Sequence, residues 1–234
     1  METSSDYCAR IVRERDEDRW LAIQYAPVEF RRALIALYSF DCELERIPTV
    51  VSEPPLGEIR LQWQRDALAE IRSDKPARAH PVIEEIAASG LGAQSYAPLI
   101  DHAINAASRP LYGDAFTDFA DALSWSERRY GAFDAAAVLV CGGEDELARA
   151  ASRAGALFAM ARRSHVFAPT LSAHIKKFYD EEWMQLRDQI KTAKASVVPA
   201  LLPLFLTPSY IANGDRSFAI RKRLILFRAM LFGA

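Results

Sequence analysis

Residues 34–68 read LIALYSFDCELERIPTVVSEPPLGEIRLQWQRDAL, and this stretch holds the end of one helical pattern and the start of the next. Over residues 27–47 the apolar side chains recur at steps of three and four positions, at Phe30, Ala33, Leu34, Leu37, Phe40, Leu44 and Ile47. That spacing predicts one long helix with a single buried stripe, which begins at Pro27 and ends at Pro48.

A second helix is predicted after the break at residues 52–55, over residues 56–72, with Ile59, Trp63, Ala67 and Ile71 on one face. Further helical patterns follow near residues 81–89, 95–108, 117–130, 132–141, 145–165, 170–195, 197–206 and 216–232. Strand patterns are poor, and short Gly or Pro connections separate the helices. We therefore predict an all-α, antiparallel helical bundle that forms a single domain over residues 1–234, with residues 1–18 as a mobile start.

Composition excludes several classes of function. Lys and Arg total 29 against 31 Asp and Glu, a formal charge of -2, which does not favour a nucleic-acid partner. Cys8, Cys42 and Cys141 are widely spaced and are expected to be free, buried thiols rather than metal ligands. The polar N-terminus lacks the apolar segment of a signal peptide, and no apolar run approaches the length of a membrane span. The expected location is cytoplasmic, with peripheral contact at the inner or cytoplasmic membrane as the alternative.

The quoted stretch resembles the squalene/phytoene synthase family, whose first long helix carries an aromatic pair, matched here by Tyr38 and Phe40. The resemblance is closest to the branch that includes the mitochondrial complex I assembly factor and its bacterial relatives. The residues that carry it are Ser52, Glu53, Pro54, Gly57, Ile59, Arg60, Leu61, Gln62 and Trp63, together with the later run VVPALLP at residues 197–203. This resemblance implies a bundle of the isoprenoid synthase type with a central apolar cavity.

The resemblance also implies a catalytic site, and this sequence departs from it. Family members couple prenyl diphosphates with the help of Mg²⁺, which aspartates on two facing helices hold. The positions that match the first aspartate motif are Glu45, Arg46 and Thr49, and those that match the second include Arg162 and Val166. Mg²⁺ requires hard oxygen ligands, and one carboxylate does not supply them. We therefore predict no metal site and no cofactor, and we assign no catalytic residue.

Three functions remain open at this point. The favoured one is a non-catalytic assembly or binding factor, whose partners by resemblance are assembly intermediates of respiratory complex I. The second is an active prenyltransferase with a rearranged Mg²⁺ site built from Glu45, Glu53 and Asp114 or Asp118. The third is a metal-independent protein that binds an isoprenoid or lipid. The candidate ligand-binding residues are Tyr38, Phe40, Glu53, Arg60, Trp63, Phe158, Arg162 and Arg163.

The C-terminal pattern over residues 216–232 predicts a basic amphipathic helix. A terminal helix of the bundle with its arginines in water has this composition, and so does a helix that lies on a membrane surface. We favour the bundle helix, because such helices are the commoner of the two.

Overall fold

The computed structural model describes residues 2–92, 96–163, 172–213 and 219–232. Within these ranges every regular element is a helix, which confirms the all-α fold class. The α-helices in chain order are α1 Ser4–Arg15, α2 Glu17–Ile23, α3 Val28–Val50, α4 Pro54–Arg72, α5 Pro81–Ala88, α6 Ala97–Ala106, α7 Arg109–Tyr112, α8 Phe119–Ser126, α9 Ala132–Val140, α10 Asp145–Arg162, α11 Ser172–Thr192, α12 Val198–Leu201, α13 Thr207–Asn213 and α14 Ala219–Phe232. A π-helical turn, Glu127–Gly131, joins α8 to α9, and a 3-10 helix, Leu202–Leu206, joins α12 to α13.

Helix α3 begins as predicted but does not end at Pro48. Pro27 is its N-cap, and the helix continues through Pro48 to Val50. A proline in the last turn removes a single backbone hydrogen bond at a helix end that frays in any case, so the helix tolerates it there. As a consequence, Thr49 lies on the same helix as Glu45, one turn further on.

Helix α4 buries the predicted face only in part. Ile59 was expected to be buried, yet it is 65% exposed. Ala67 of that face is fully buried, and Gly57 and Leu61 beside it are buried as well. A Cβ atom at Gly57 would lie 2.3 Å from the side chain of Leu111, so the missing side chain lets this turn of α4 pack closely on α7.

The N-terminal segment, predicted as a mobile start over residues 1–18, contains α1 and the beginning of α2. A capping box between Thr3 and Asp6 starts α1, and each side chain satisfies a backbone N–H of the other. Cys8 and Val12 are fully buried, and α1 packs against α3 and α5. The segment therefore supplies part of the core, and it delivers the loop residue Asp16 to the interior.

The centre of the structure lies where α10 crosses α9 and the π-helical turn. A Cβ atom at Gly131 would lie 2.1 Å from the carbonyl oxygen of Ser152, so the two backbones almost touch there. All three cysteines are buried and free, which confirms the prediction made for them. Among the described residues, no helix combines the length and the apolar character needed to cross a membrane.

Candidate functional site

The ends of α3 and α10 meet the end of α1 around a cleft of about 390 Å³. Its walls bring together Glu45, Arg46 and Thr49 from the first motif position and Arg162 from the second. Val166, the other residue of the second motif position, lies outside the described residues. Among the described residues the lining is Arg15, Cys42, Glu45, Arg46, Thr49, Arg162 and Arg163, so four guanidinium groups surround one carboxylate there.

The carboxylate of Glu45 is held by a two-pronged ion pair. The Arg163 guanidinium donates from Nε to Oε1 at 2.6 Å and from Nη2 to Oε2 at 3.1 Å. Partial burial opposes ionisation of Glu45, but Arg163 outweighs it and lowers the pKa of this side chain to about 2. Both oxygens are engaged, so the one acidic side chain among the described residues of the cleft wall already has a cation as its partner.

Arg162 makes the second ion pair at the cleft. Its Nη1 donates to Oδ1 of Asp16 at 2.6 Å, and its Nε lies 3.7 Å from Oδ2 of Asp18. The two aspartates are almost completely buried in the short connection and first turn of α2. Burial of Arg162 disfavours its charged form and so lowers its pKa. The attraction of the Asp16 carboxylate acts in the opposite direction, and the pKa of Arg162 is raised overall. The end of α10 is thus tied to the α1–α2 connection.

A buried network of charged side chains continues inward from the cleft. Asp41 on α3 accepts hydrogen bonds from Arg129 and from Nη1 of Arg19, the latter at 2.6 Å. Arg19 also donates from Nη2 to Oδ1 of Asp134 at 3.0 Å. Buried charges are stable only when they are paired, and each arginine of this network has a carboxylate partner. The shared carboxylates also connect the helices α2, α3 and α9.

Asp134 is the member of the network whose charge is least well satisfied. Its Oδ2 is buried and has no hydrogen-bond partner in the described structure. Burial raises the pKa of Asp134 from 3.8 to about 6, although Arg19 acts in the opposite direction. Gly155 on α10 makes room for this carboxylate, because a Cβ atom there would lie 2.2 Å from Oδ2.

The carboxylates near the cleft do not fit Mg²⁺. Within residues 2–92, 96–163, 172–213 and 219–232, no three His, Cys, Asp or Glu side chains are grouped so that they could hold a metal ion. Glu45 and Asp16 each accept from a guanidinium instead, and the four arginines of the wall would repel a divalent cation.

Comparison with known proteins places this arrangement in a family. The family model for squalene/phytoene synthase matches residues 12–164, well over half of the chain. The chain belongs to the squalene/phytoene synthase family. The crystal structure of a dehydrosqualene synthase superimposes on the chain with a TM-score of 0.68 at 11% sequence identity, over 96% of this chain and 94% of the other. At that identity the likeness shows the fold alone, and it is the all-α isoprenoid synthase fold.

The curated relatives of this family member are complex I assembly proteins. NADH dehydrogenase (ubiquinone) complex I, assembly factor 6, is 35% identical over 78 residues in Bos taurus and 32% identical over 78 residues in Homo sapiens. The match covers 33% of this chain and 23% of each relative. The aligned part therefore spans about a quarter of the relatives' length.

Several residues proposed for ligand binding in this family member do not line the cleft. Tyr38, Phe40 and Phe158 are core side chains, at most 2% exposed. Glu53 and Arg60 are exposed at the start of α4. Trp63 packs its ring on His80, with Arg78 above it. Of the candidate ligand-binding residues, the structure places Arg162 and Arg163 in the cleft wall.

One of the acids proposed for a rearranged site, Asp118, serves a helix end instead. Asp118 is the N-cap of α8, where its Oδ1 accepts from the backbone N–H of Asp121 at 2.8 Å. Asp121 in turn accepts from Arg109. Neither Asp114 nor Asp118 lines the cleft that contains Glu45.

The buried network is the feature that sequence reasoning missed. Its members outside the motif positions are Asp16, Asp18, Arg19, Asp41, Arg129 and Asp134. One signal was present, because Asp41 and Glu45 have the four-residue spacing of a carboxylate pair on one helix. The pair is split in the fold: Asp41 is bonded to Arg19 and Arg129 in the interior, while Glu45 is bonded to Arg163 at the cleft.

Proposed function

We propose that this protein is a non-catalytic member of the squalene/phytoene synthase family that acts as an assembly or binding factor for respiratory complex I. The observation that carries the proposal is the paired Glu45–Arg163 fork at the position where the family's metal-binding carboxylates belong. The similarity to complex I assembly factor 6 supports the choice of partner.

The physical argument concerns the departing diphosphate. Coupling of prenyl diphosphates requires cations that neutralise the leaving group, and Mg²⁺ serves this purpose only where several carboxylates are free to hold it. In this cleft Glu45 is engaged by Arg163, and Asp16 beneath it by Arg162. Each new metal ligand would have to be taken from a buried or half-buried guanidinium, which would leave that cation without its partner.

The assembly role is tested in a strain from which the gene for this protein is deleted. We expect reduced assembled complex I on native gels and reduced NADH oxidation, both restored by the full chain. A tagged full chain should recover complex I subunits from membranes solubilised with mild detergent. Normal complex I in the deletion strain, together with no complex I subunit in the pull-down, would overturn the assembly role.

The lack of catalysis is tested separately with purified protein, farnesyl or geranylgeranyl diphosphate, and Mg²⁺. We expect pyrophosphate release no faster than in buffer. Turnover above that level would overturn the non-catalytic assignment and favour the rearranged site of Glu45, Glu53 and Asp114 or Asp118. The variants Glu45→Gln and Asp118→Asn would then show which carboxylate takes part.

A second candidate function rests on the arginines of the cleft. Arg15, Arg46, Arg162 and Arg163 face a space of about 390 Å³, and guanidinium groups match the oxygens of a diphosphate without a metal. A metal-independent isoprenoid-binding protein should be stabilised against heat by a prenyl diphosphate in the presence of EDTA. Arg46→Gln should weaken that stabilisation, whereas Arg60→Gln, an exposed arginine outside the cleft, should not. No stabilisation of the unmodified protein would exclude this candidate.

A further inference from the structure

The outer face of α14 carries an uncovered apolar stripe. Ile220, Leu224, Phe227 and Leu231 are 80%, 62%, 52% and 58% exposed. Their spacing of four, three and four residues places them within roughly 60° of arc on one side of the helix. Large apolar side chains that occur singly on a surface need no explanation, but a continuous row of them indicates an interaction site.

This stripe is not the face that holds α14 to the bundle. The opposite side contains Leu226 and Ala229, which are buried, and α14 packs on the 3-10 helix Leu202–Leu206 and on α2. Lys222 on the same inner side forms an ion pair with Oδ1 of Asp18 at 2.7 Å and donates to Oε2 of Glu17 at 3.3 Å. The helix is therefore anchored by one face, and the second apolar face is left for another partner.

The charges around the stripe indicate the chemistry of that partner. Arg223 lies on one flank and Arg221 and Arg228 lie on the other, all three exposed, and residues 219–232 contain no acidic residue. Two such helices would repel each other if a second copy of the chain covered the stripe. An apolar row with arginines on both flanks matches a surface that is apolar below and anionic above, which is the interface of an anionic lipid bilayer.

We propose that α14 lies on an anionic membrane surface, with Ile220, Leu224, Phe227 and Leu231 inserted among the lipids and Arg221, Arg223 and Arg228 at the headgroups. The bundle helix and the membrane-surface helix that the sequence allowed are then the same helix: its inner face packs on the bundle, and its outer face lies on the membrane. The proposal does not depend on a role in complex I assembly, and either one can fail alone.

The test is co-flotation of the full chain with vesicles of phosphatidylcholine alone or with about one third phosphatidylglycerol. We expect binding to the anionic vesicles that weakens as salt is raised, because the arginines act through screened charges. Leu224→Gln with Phe227→Gln should lower binding at least tenfold. Each of Arg221→Gln, Arg223→Gln and Arg228→Gln should lower it by about fivefold. Met184→Gln is the matched control, since Met184 is 60% exposed on α11, and it should not change binding.

Thermal melts of every variant show whether the fold is retained, and we expect them to be unchanged because the substituted side chains are exposed. Absence of binding to anionic vesicles by the unmodified chain would overturn the proposal, and so would equal binding by the unmodified chain and the Leu224→Gln, Phe227→Gln variant. Light scattering provides the remaining outcome: a dimer that this variant dissociates would assign the stripe to a second copy of the chain and would also overturn the proposal.

Discussion

Gly155 and Asp134 show how one missing side chain makes room for a buried charge. We predict that Gly155→Ala destabilises the protein by about 1–3 kcal/mol, because the new methyl group would lie 2.2 Å from Oδ2 of Asp134 and would force the carboxylate to move. Equilibrium unfolding in urea measures this loss.

Gly57→Ala is the matched control for that substitution. A Cβ atom there would meet the side chain of Leu111, which can rotate away, whereas Asp134 is fixed by its hydrogen bond to Arg19. We expect a loss well below that of Gly155→Ala, about 1 kcal/mol or less. Equal losses for the two variants would mean that the contact with Asp134 is not the source of the strain.

The raised pKa of Asp134 predicts a specific dependence of stability on pH. The folded protein binds this proton more tightly than the unfolded chain, since the pKa rises from 3.8 to about 6 on folding. The resulting stabilisation is fully present below pH 4 and is lost as the pH rises to about 6. Asp134→Asn removes the titration.

The difference in unfolding free energy between the unmodified protein and Asp134→Asn should therefore fall by up to about 3 kcal/mol from pH 4 to pH 7. Urea unfolding at several pH values measures it. Glu45 affects stability at lower pH, because its pKa falls from 4.5 to about 2 on folding. Its contribution to stability is lost only as the pH drops towards that value. A constant difference across pH 4–7 would contradict the assignment to Asp134.

At the scale of helices, Arg19 ties α2 to α3 and α9 through Asp41 and Asp134. We predict that Arg19→Met costs about 3–5 kcal/mol in urea unfolding, because it removes the cation shared by two buried carboxylates. Arg10→Met is the control. Arg10 pairs with Glu2 at the surface, where ion pairs contribute about 0–1 kcal/mol. A cost for Arg19→Met no greater than for Arg10→Met would show that the network does not stabilise the fold.

The helices themselves were largely predictable, because a three- and four-residue period of apolar side chains marks α3 and α10 directly. The exposure of Ile59 on α4 was not predictable from that period. Ile59 fits the predicted apolar stripe, but a hydrophobic pattern does not show how far along the helix the neighbouring elements cover that stripe. Helix α1 was missed because its many charged residues mask the short apolar row of Cys8, Ile11 and Val12.

The candidate site, too, was predictable in one respect and unpredictable in another. The loss of the metal ligands could be seen at Glu45, Arg46 and Thr49, because a motif match needs only residue types at known spacings. The ion pairs that replace them could not be predicted. Glu45 and Arg163 are 118 positions apart, and Arg19 and Asp134 are 115 apart, so only the packed helices bring each pair together.

At the scale of the whole molecule, the chain has the isoprenoid synthase fold, and arginines line its cleft. If side-chain chemistry alone prevents metal binding, restoring acids on α3 should create it in part. Residues 45 and 49 are one turn apart, and both line the cleft. We predict that Arg46→Asp with Thr49→Asp makes the protein responsive to Mg²⁺, since one cation is removed and two carboxylates join Glu45.

We expect 10 mM Mg²⁺ to raise the Tm of this double variant by about 2–4 °C, which corresponds to a millimolar affinity. The unmodified protein should shift by less than about 1 °C. Arg60→Asp with Gln62→Asp adds the same charges to an exposed part of α4 outside the cleft, and it serves as the control for a general effect of acidity. Pyrophosphate release from a prenyl diphosphate should stay at the level of buffer in all three proteins, because Arg163 still holds Glu45 and the described end of α10 supplies no carboxylate. An equal Mg²⁺ shift in the control, or none in the cleft variant, would show that the geometry of the cleft, and not only its side chains, has left the metal-binding form.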